Sequence, residues 1–174
     1  IGEIMKLCKS YRSTFEITDF SQRIQTNHEL EPIIRHDEPP AILRFEDVKQ
    51  EILGIFSIIS SFKKSGYTSL GIVCKTETQA RELSESLRVH TGDIHFLSNQ
   101  SSAFMKGIIV TSSHMAKGLE FDEVIVPYVN AKNYNSAIDK SMLYVAVTRA
   151  MHRLTLTYNG RPSEFIPASS DQNF

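Results

Sequence analysis

The amino-acid sequence predicts an α/β domain with a largely parallel sheet flanked by helices. Short runs dense in β-branched residues supply the strands, and Ile108-Ile109-Val110 has the apolar density of a strand covered on both faces. Between these runs, apolar residues recur every three or four positions, as amphipathic helices require. Dense polar segments follow the runs, where open α/β sheets present ligand groups.

Residues 4–11 read as a short strand or turn. Ser13-Thr14 can cap a helix whose apolar positions are Phe15, Ile17, Phe20 and Ile24. Residues 27–40 form a polar connector, with Pro32, Pro39 and Pro40 favouring turns or extended backbone. Residues 41–45 are predicted as a strand. Residues 47–64 form a helix carried by Val48, Ile52, Ile55, Phe56 and Ile59, ended by Gly66. A buried strand over 70–74 and a helix through Leu87, with Ala80 and Leu83 on its apolar face, make a β–α unit. Strands are expected over 94–97, 107–111, 123–129 and 154–158, with a helix over 136–150. The domain is placed at residues 1–162, with 163–174 as a peripheral tail.

A chain of 174 residues fits one domain with a substantial core. A net charge of -1 gives no support to a strongly basic nucleic-acid module, although a local basic surface is compatible with it. Cys8 and Cys74 form no CxxC pair, which favours reduced thiols in a cytoplasmic protein over a disulfide framework or a zinc site. No apolar run reaches the ~18 residues of a membrane span, and no secretory signal opens the chain. It starts at Ile1 without an initiator methionine, so a piece of a longer protein is expected.

Two segments carry more polar chemistry than packing needs. In Thr111-Ser112-Ser113-His114-Met115-Ala116-Lys117-Gly118-Leu119-Glu120-Phe121-Asp122, Lys117 offers a cation for phosphate and Gly118 permits close backbone approach. Glu120 can accept a bond from a ribose hydroxyl. An ordinary charged turn accounts for the same residues. Thr111 and His114 can contact a nucleic-acid phosphate or make a turn. Lys75 and Thr76 can hold a nucleic-acid phosphate at a helix start, or Thr76 can act as the cap. Arg149, near the end of a helix, suits either a phosphoryl oxygen or the helix dipole. Arg12 presents the same choice between ligand and surface. Met142 and Tyr144 fit packing. Asp139, Glu120 and Asp122 form no metal-binding or paired-acid motif, so no metal site is expected in this chain.

Lys9-Ser10-Tyr11-Arg12-Ser13-Thr14, residues 110–122 and residues 142–150 resemble, in order, motifs IV, V and VI of UvrD/Rep-type superfamily 1 helicases, including the helicase IV and HelD-like branches. The chain is thereby similar to the C-terminal, second motor domain of these enzymes, a RecA-like P-loop NTPase fold without its own P-loop. The resemblance implies that Arg149 and Arg12 act as arginine fingers on the ATP γ-phosphate. It further implies that Glu120 meets the nucleotide sugar in a loop shaped by Gly118, and that Thr111 and His114 touch single-stranded DNA. No GxxxxGK[ST] loop is present, nor a Walker B acidic pair followed by a glutamine motif. The implied arrangement is a parent ATP-dependent DNA helicase that uses ATP and Mg²⁺ with an N-terminal RecA-like partner domain. The isolated chain is expected to be inactive and to hold neither cofactor tightly. The alternatives are a HelD-like, ATP-driven remodelling factor with RNA polymerase as its partner, and a RecA-like binding module without turnover.

Overall fold

Each longer helix starts where a hydroxyl or carboxylate captures an otherwise unpaired amide. Thr14, Asp47, Thr76 and Ser136 accept from the backbone N–H groups of Ile17, Gln50, Gln79 and Asp139. In the computed structural model, which describes residues 13–27, 35–99 and 106–168, these caps precede α1 (Phe15–Ile24), α2 (Val48–Lys63), α3 (Glu77–Arg88) and α5 (Ala137–Val147). A four-residue helix, α4 (Ser113–Ala116), is capped by Ser112.

The strands are β1 (Ala41–Phe45), β2 (Ser69–Cys74), β3 (Ile94–Phe96), β4 (Gly107–Ser112), β5 (Phe121–Val126) and β6 (Ala150–Asn159). They form one sheet in the order β1-β6-β5-β2-β4-β3, and every pairing between them is parallel. The expected α/β architecture is therefore present. Parallel strands of this kind need cover on both faces, and all six residues of β2 are buried.

Side-chain alternation divides the core in two. Val73, Ile109, Val124 and Leu154 pack with Ile17, Leu143 and Val147 of α1 and α5 on one face. Leu70, Ile72, Val110 and Ile125 pack with Ile55, Ile59 and Leu83 of α2 and α3 on the other. A register shift between Phe121 and Glu123 lets Phe121 and Val124 share the α1–α5 face. The Phe121 ring then covers Gly71, where a Cβ would stand 2.4 Å from Phe121 Cδ2.

Three elements differ from the sequence expectations by more than one residue at an end. The strand expected over 123–129 occupies Phe121–Val126, because the backbone turns at Tyr128, which has a φ of 61°. The helix expected over 136–150 stops at Val147, with Thr148 as its cap. The strand expected over 154–158 starts at Ala150, since its early residues extend the pairing with β5. The strand or turn expected over 4–11 lies outside the described residues. The packed unit runs past Pro162: Ser163 Oγ donates to the Tyr134 carbonyl at 2.8 Å, and Phe165 and Ile166 lie against the core. Among the described residues no helix is long and apolar enough to cross a membrane.

Gly71→Ala is expected to destabilise the fold by about 1–3 kcal/mol through overpacking against Phe121, read as a lower denaturation midpoint. Adding Phe121→Leu should recover part of the loss.

Candidate functional site

Strand register separates the candidate residues into two groups at opposite edges of the sheet. Cys74 pairs with Ser112 at the carboxyl edge, whereas Leu70 pairs with Glu123, so Phe121 begins β5 at the amino edge. Six residues of strand, roughly 20 Å, separate the edges.

At the carboxyl edge, Thr111 is buried and its hydroxyl donates to the Leu97 carbonyl at 3.0 Å. Ser113 donates to the Cys74 carbonyl at 3.2 Å, which binds the start of α4 to the end of β2. His114 is exposed. With Lys117 it lines a cavity of about 190 Å³ floored by Ile138, Met142 and Val145. Lys75 is engaged inside the protein: its ammonium meets Asp139 Oδ1 at 2.8 Å and the Asn133 carbonyl at 2.5 Å. Thr76 caps α3.

Asp139 is the hub of this edge. Its second oxygen accepts from the Asn135 and Ser136 amides at 3.0 Å each, completing the capping box of α5. Burial pushes its carboxyl up, but the amides and Lys75 outweigh that and bring it down to about 2.

Arg149 lies at the amino edge. As expected it lies near a helix end, directly after the Thr148 cap of α5 and before the first residue of β6. Its carbonyl accepts from the Phe121 amide at 2.9 Å. The guanidinium folds back, with Nη1 3.4 Å from the Leu119 carbonyl and Nη2 3.2 Å from the Thr148 hydroxyl. Its Nε is buried with no hydrogen-bond partner. Burial disfavours the charged form and outweighs the opposing carboxylate of Glu120, so the guanidinium is pushed below its ordinary value. A guanidinium stays protonated in proteins, so Arg149 is a partly buried cation with an unused donor, suited to an anion.

Residues 113–120 join the two edges. They leave β4 as α4, turn at Gly118, whose φ of 81° favours glycine, and reach Glu120 before β5 starts. His114 therefore follows a strand's carboxyl end as expected, but Glu120 and Asp122 do not. Asp122 serves as a latch, accepting from the Thr68 and Ser69 amides at 2.8 and 3.2 Å and from the Thr68 hydroxyl at 3.1 Å.

Arg12 lies outside the described residues. The residues after it dock beside Arg149: Ser13 Oγ donates to the Ala150 carbonyl at 2.7 Å, and the Thr14 amide to the Met151 carbonyl at 3.2 Å. Sequence reasoning missed Arg35, whose Nη2 donates to the same Met151 carbonyl at 3.0 Å. Its one signal was a cation within an acidic, proline-containing connector.

Residues 107–157 match the family described as the UvrD-like helicase C-terminal domain. The structure is similar to the C-terminal domain of a possible DNA helicase from Lactobacillus plantarum WCFS1, with a TM-score of 0.76 and 28% identity over 90% of this chain and 92% of that one. An Arterivirus nonstructural protein 10 (helicase), in a complex with DNA, aligns over 74% of this chain and 32% of its own, with 14% identity and a TM-score of 0.48. No curated protein sequence matches the chain.

Asp139 has a lowered folded-state pKa, so its stabilisation is complete above its ordinary value of 3.8 and is lost as pH falls through about 2. Asp139→Asn is expected to cost about 2 kcal/mol at neutral pH. Thermal melts of the two proteins should converge as the pH is lowered through that window.

Proposed function

From residues 107–157, which carry the UvrD-like helicase C-terminal domain, we propose that this chain is the second motor domain of an ATP-dependent DNA helicase or translocase. The observation that carries the proposal is Arg149, a partly buried guanidinium with an unpartnered Nε beside Glu120. Its donors fit phosphoryl oxygens, which would occupy the buried Nε that has no partner within the protein.

The P-loop and the groups that hold Mg²⁺ would come from an N-terminal motor domain of the same polypeptide, facing the amino edge. ATP bound there, with Mg²⁺, supplies the transferable γ-phosphoryl group and the free energy of its hydrolysis. Arg149, together with Arg12, would stabilise charge developing on the phosphoryl oxygens. Glu120 orients the nucleotide sugar, and Lys117 adds positive potential nearby.

Single-stranded DNA is assigned to the carboxyl edge, where His114 is exposed. Thr111, Lys75 and Thr76 support that edge, since their polar groups are already bonded to the protein. The short span 113–120 offers a direct mechanical link, because a shift of Glu120 toward nucleotide pulls on α4 and so on His114. Differential interaction of Arg149 with ATP and ADP is the energy source for that shift.

The test is ATP hydrolysis by the full-length protein with and without single-stranded DNA. DNA should stimulate turnover, and Arg149→Ala should reduce kcat by about a thousandfold or more while single-stranded DNA binding persists. Unchanged turnover in Arg149→Ala would overturn the assignment.

A further inference from the structure

We infer that Arg35 is a positioning residue for Arg149 at the amino edge, an inference that rests on the proposed nucleotide role of Arg149. Three bonds close a small ring around the first turn of α1. The Phe15 amide donates to the Arg35 carbonyl at 2.8 Å, the Arg35 guanidinium donates to the Met151 carbonyl at 3.0 Å, and the Thr14 amide donates to that same carbonyl at 3.2 Å. Met151 lies two residues after Arg149, and Thr14 two residues after Arg12. The ring therefore ties the start of α1 and the connector at Arg35 to the stretch of β6 that follows Arg149.

The connector cannot slide freely past this ring. Glu16, in the first turn of α1, takes His36 Nδ1 at 2.7 Å on one carboxylate oxygen and the Asp37 amide at 3.0 Å on the other. The Phe15 and His36 rings add a tilted contact with centroids 5.2 Å apart. Residues 35–37 are consequently fixed to α1 by backbone, carboxylate and ring contacts, and Arg35 transmits that fixation across to β6. A guanidinium–carbonyl bond is charge-assisted and directional, so it resists the lateral drift that a neutral amide pair alone permits.

Catalysis by an arginine finger is sensitive to small displacements, with about 1 Å of misplacement costing up to roughly a hundredfold. Removing the exposed Arg35 Nη2 bond takes one of the two donors from the Met151 carbonyl and loosens the joint between the two segments. The expected signature is a loss in kcat with little change in the KM for ATP, because Arg35 itself does not touch the nucleotide. Lysine at this position keeps the charge but not the planar fork, so it restores part of the loss.

The experiment measures DNA-stimulated ATP hydrolysis by the full-length protein, its Arg35→Ala, Arg35→Lys and Arg149→Ala variants, and the Arg35→Ala/Arg149→Ala double variant. Arg35→Ala should lower kcat by about tenfold, with Arg35→Lys intermediate and KM changed by less than about twofold. In the Arg149→Ala background the Arg35 substitution should cost much less than tenfold, since the group it positions is gone. Glu16→Gln, which weakens the grip on Asp37 and His36 while leaving Arg35 in place, should lower kcat in the same direction by a smaller factor, and it serves where Arg35→Ala does not fold. An active parent whose kcat is unchanged by Arg35→Ala or by Glu16→Gln overturns the inference alone, as does a tenfold loss that persists in the Arg149→Ala background. A parent without ATP turnover overturns the functional reading and the inference with it.

Discussion

Burial of β2 on both faces constrains everything around it. Its six residues have no solvent side, so neighbouring strands must run on each flank and helices must cover above and below. The chain meets this demand by sending β2 toward β3 and β4 through α3 and by returning from β4 across to β5 through α4. That return is the segment that carries His114, Lys117, Gly118 and Glu120. The close approach of Phe121 to Gly71 is part of the same constraint, because the ring that starts β5 fills space that any side chain on β2 would take.

The treatment of buried charge distinguishes structural groups from the proposed functional one. Glu51 is buried, yet it accepts from Thr157 at 2.7 Å, from Asn159 at 2.6 Å and from the Tyr128 amide at 2.9 Å, which also holds the left-handed turn at Tyr128. Asp139 and Lys75 neutralise each other at the opposite end of α5 from Arg149. Each of these groups has partners enough to repay its desolvation. Arg149 has weaker bonds to a carbonyl and a hydroxyl and a buried Nε without any. Glu123 shares that character in part: its Oε2 is buried without a hydrogen bond, burial raises its pKa, and Arg153 at 3.8 Å opposes the rise. Glu123, however, lies inside the sheet on the α2–α3 side with a cation beside it, whereas Arg149 stands at the edge of the sheet with a buried donor still to fill.

The helices α2 and α3 and the strands β2 and β4 were legible in the sequence because each is a clean apolar period bounded by a cap or a turn. The end of α5 was not. Leu143 through Ala150 is apolar throughout except for Thr148 and Arg149, so helical periodicity gives no reason to stop at Val147. The stop comes from the sheet: Ala150 pairs with Phe121, and the Phe121 amide bonds to the Arg149 carbonyl, which is incompatible with one more helical turn. Arg35 was illegible for a related reason, since its partner is a backbone carbonyl more than a hundred residues away.

Residue chemistry and local spacing were enough to specify an α/β chain, its main elements and the two polar segments worth watching. They also carried the likeness to a helicase motor domain, because motif order is a property of the chain alone. Which edge of the sheet each segment faces lies beyond local pattern, since parallel pairing register sets it and register depends on how distant strands fill one shared core. Only in the folded chain do Ser13, Glu120, Arg35 and Arg149 meet at one edge and His114 at the other. The sequence places Thr111 and Arg149 38 residues apart without any sign that a sheet stands between them.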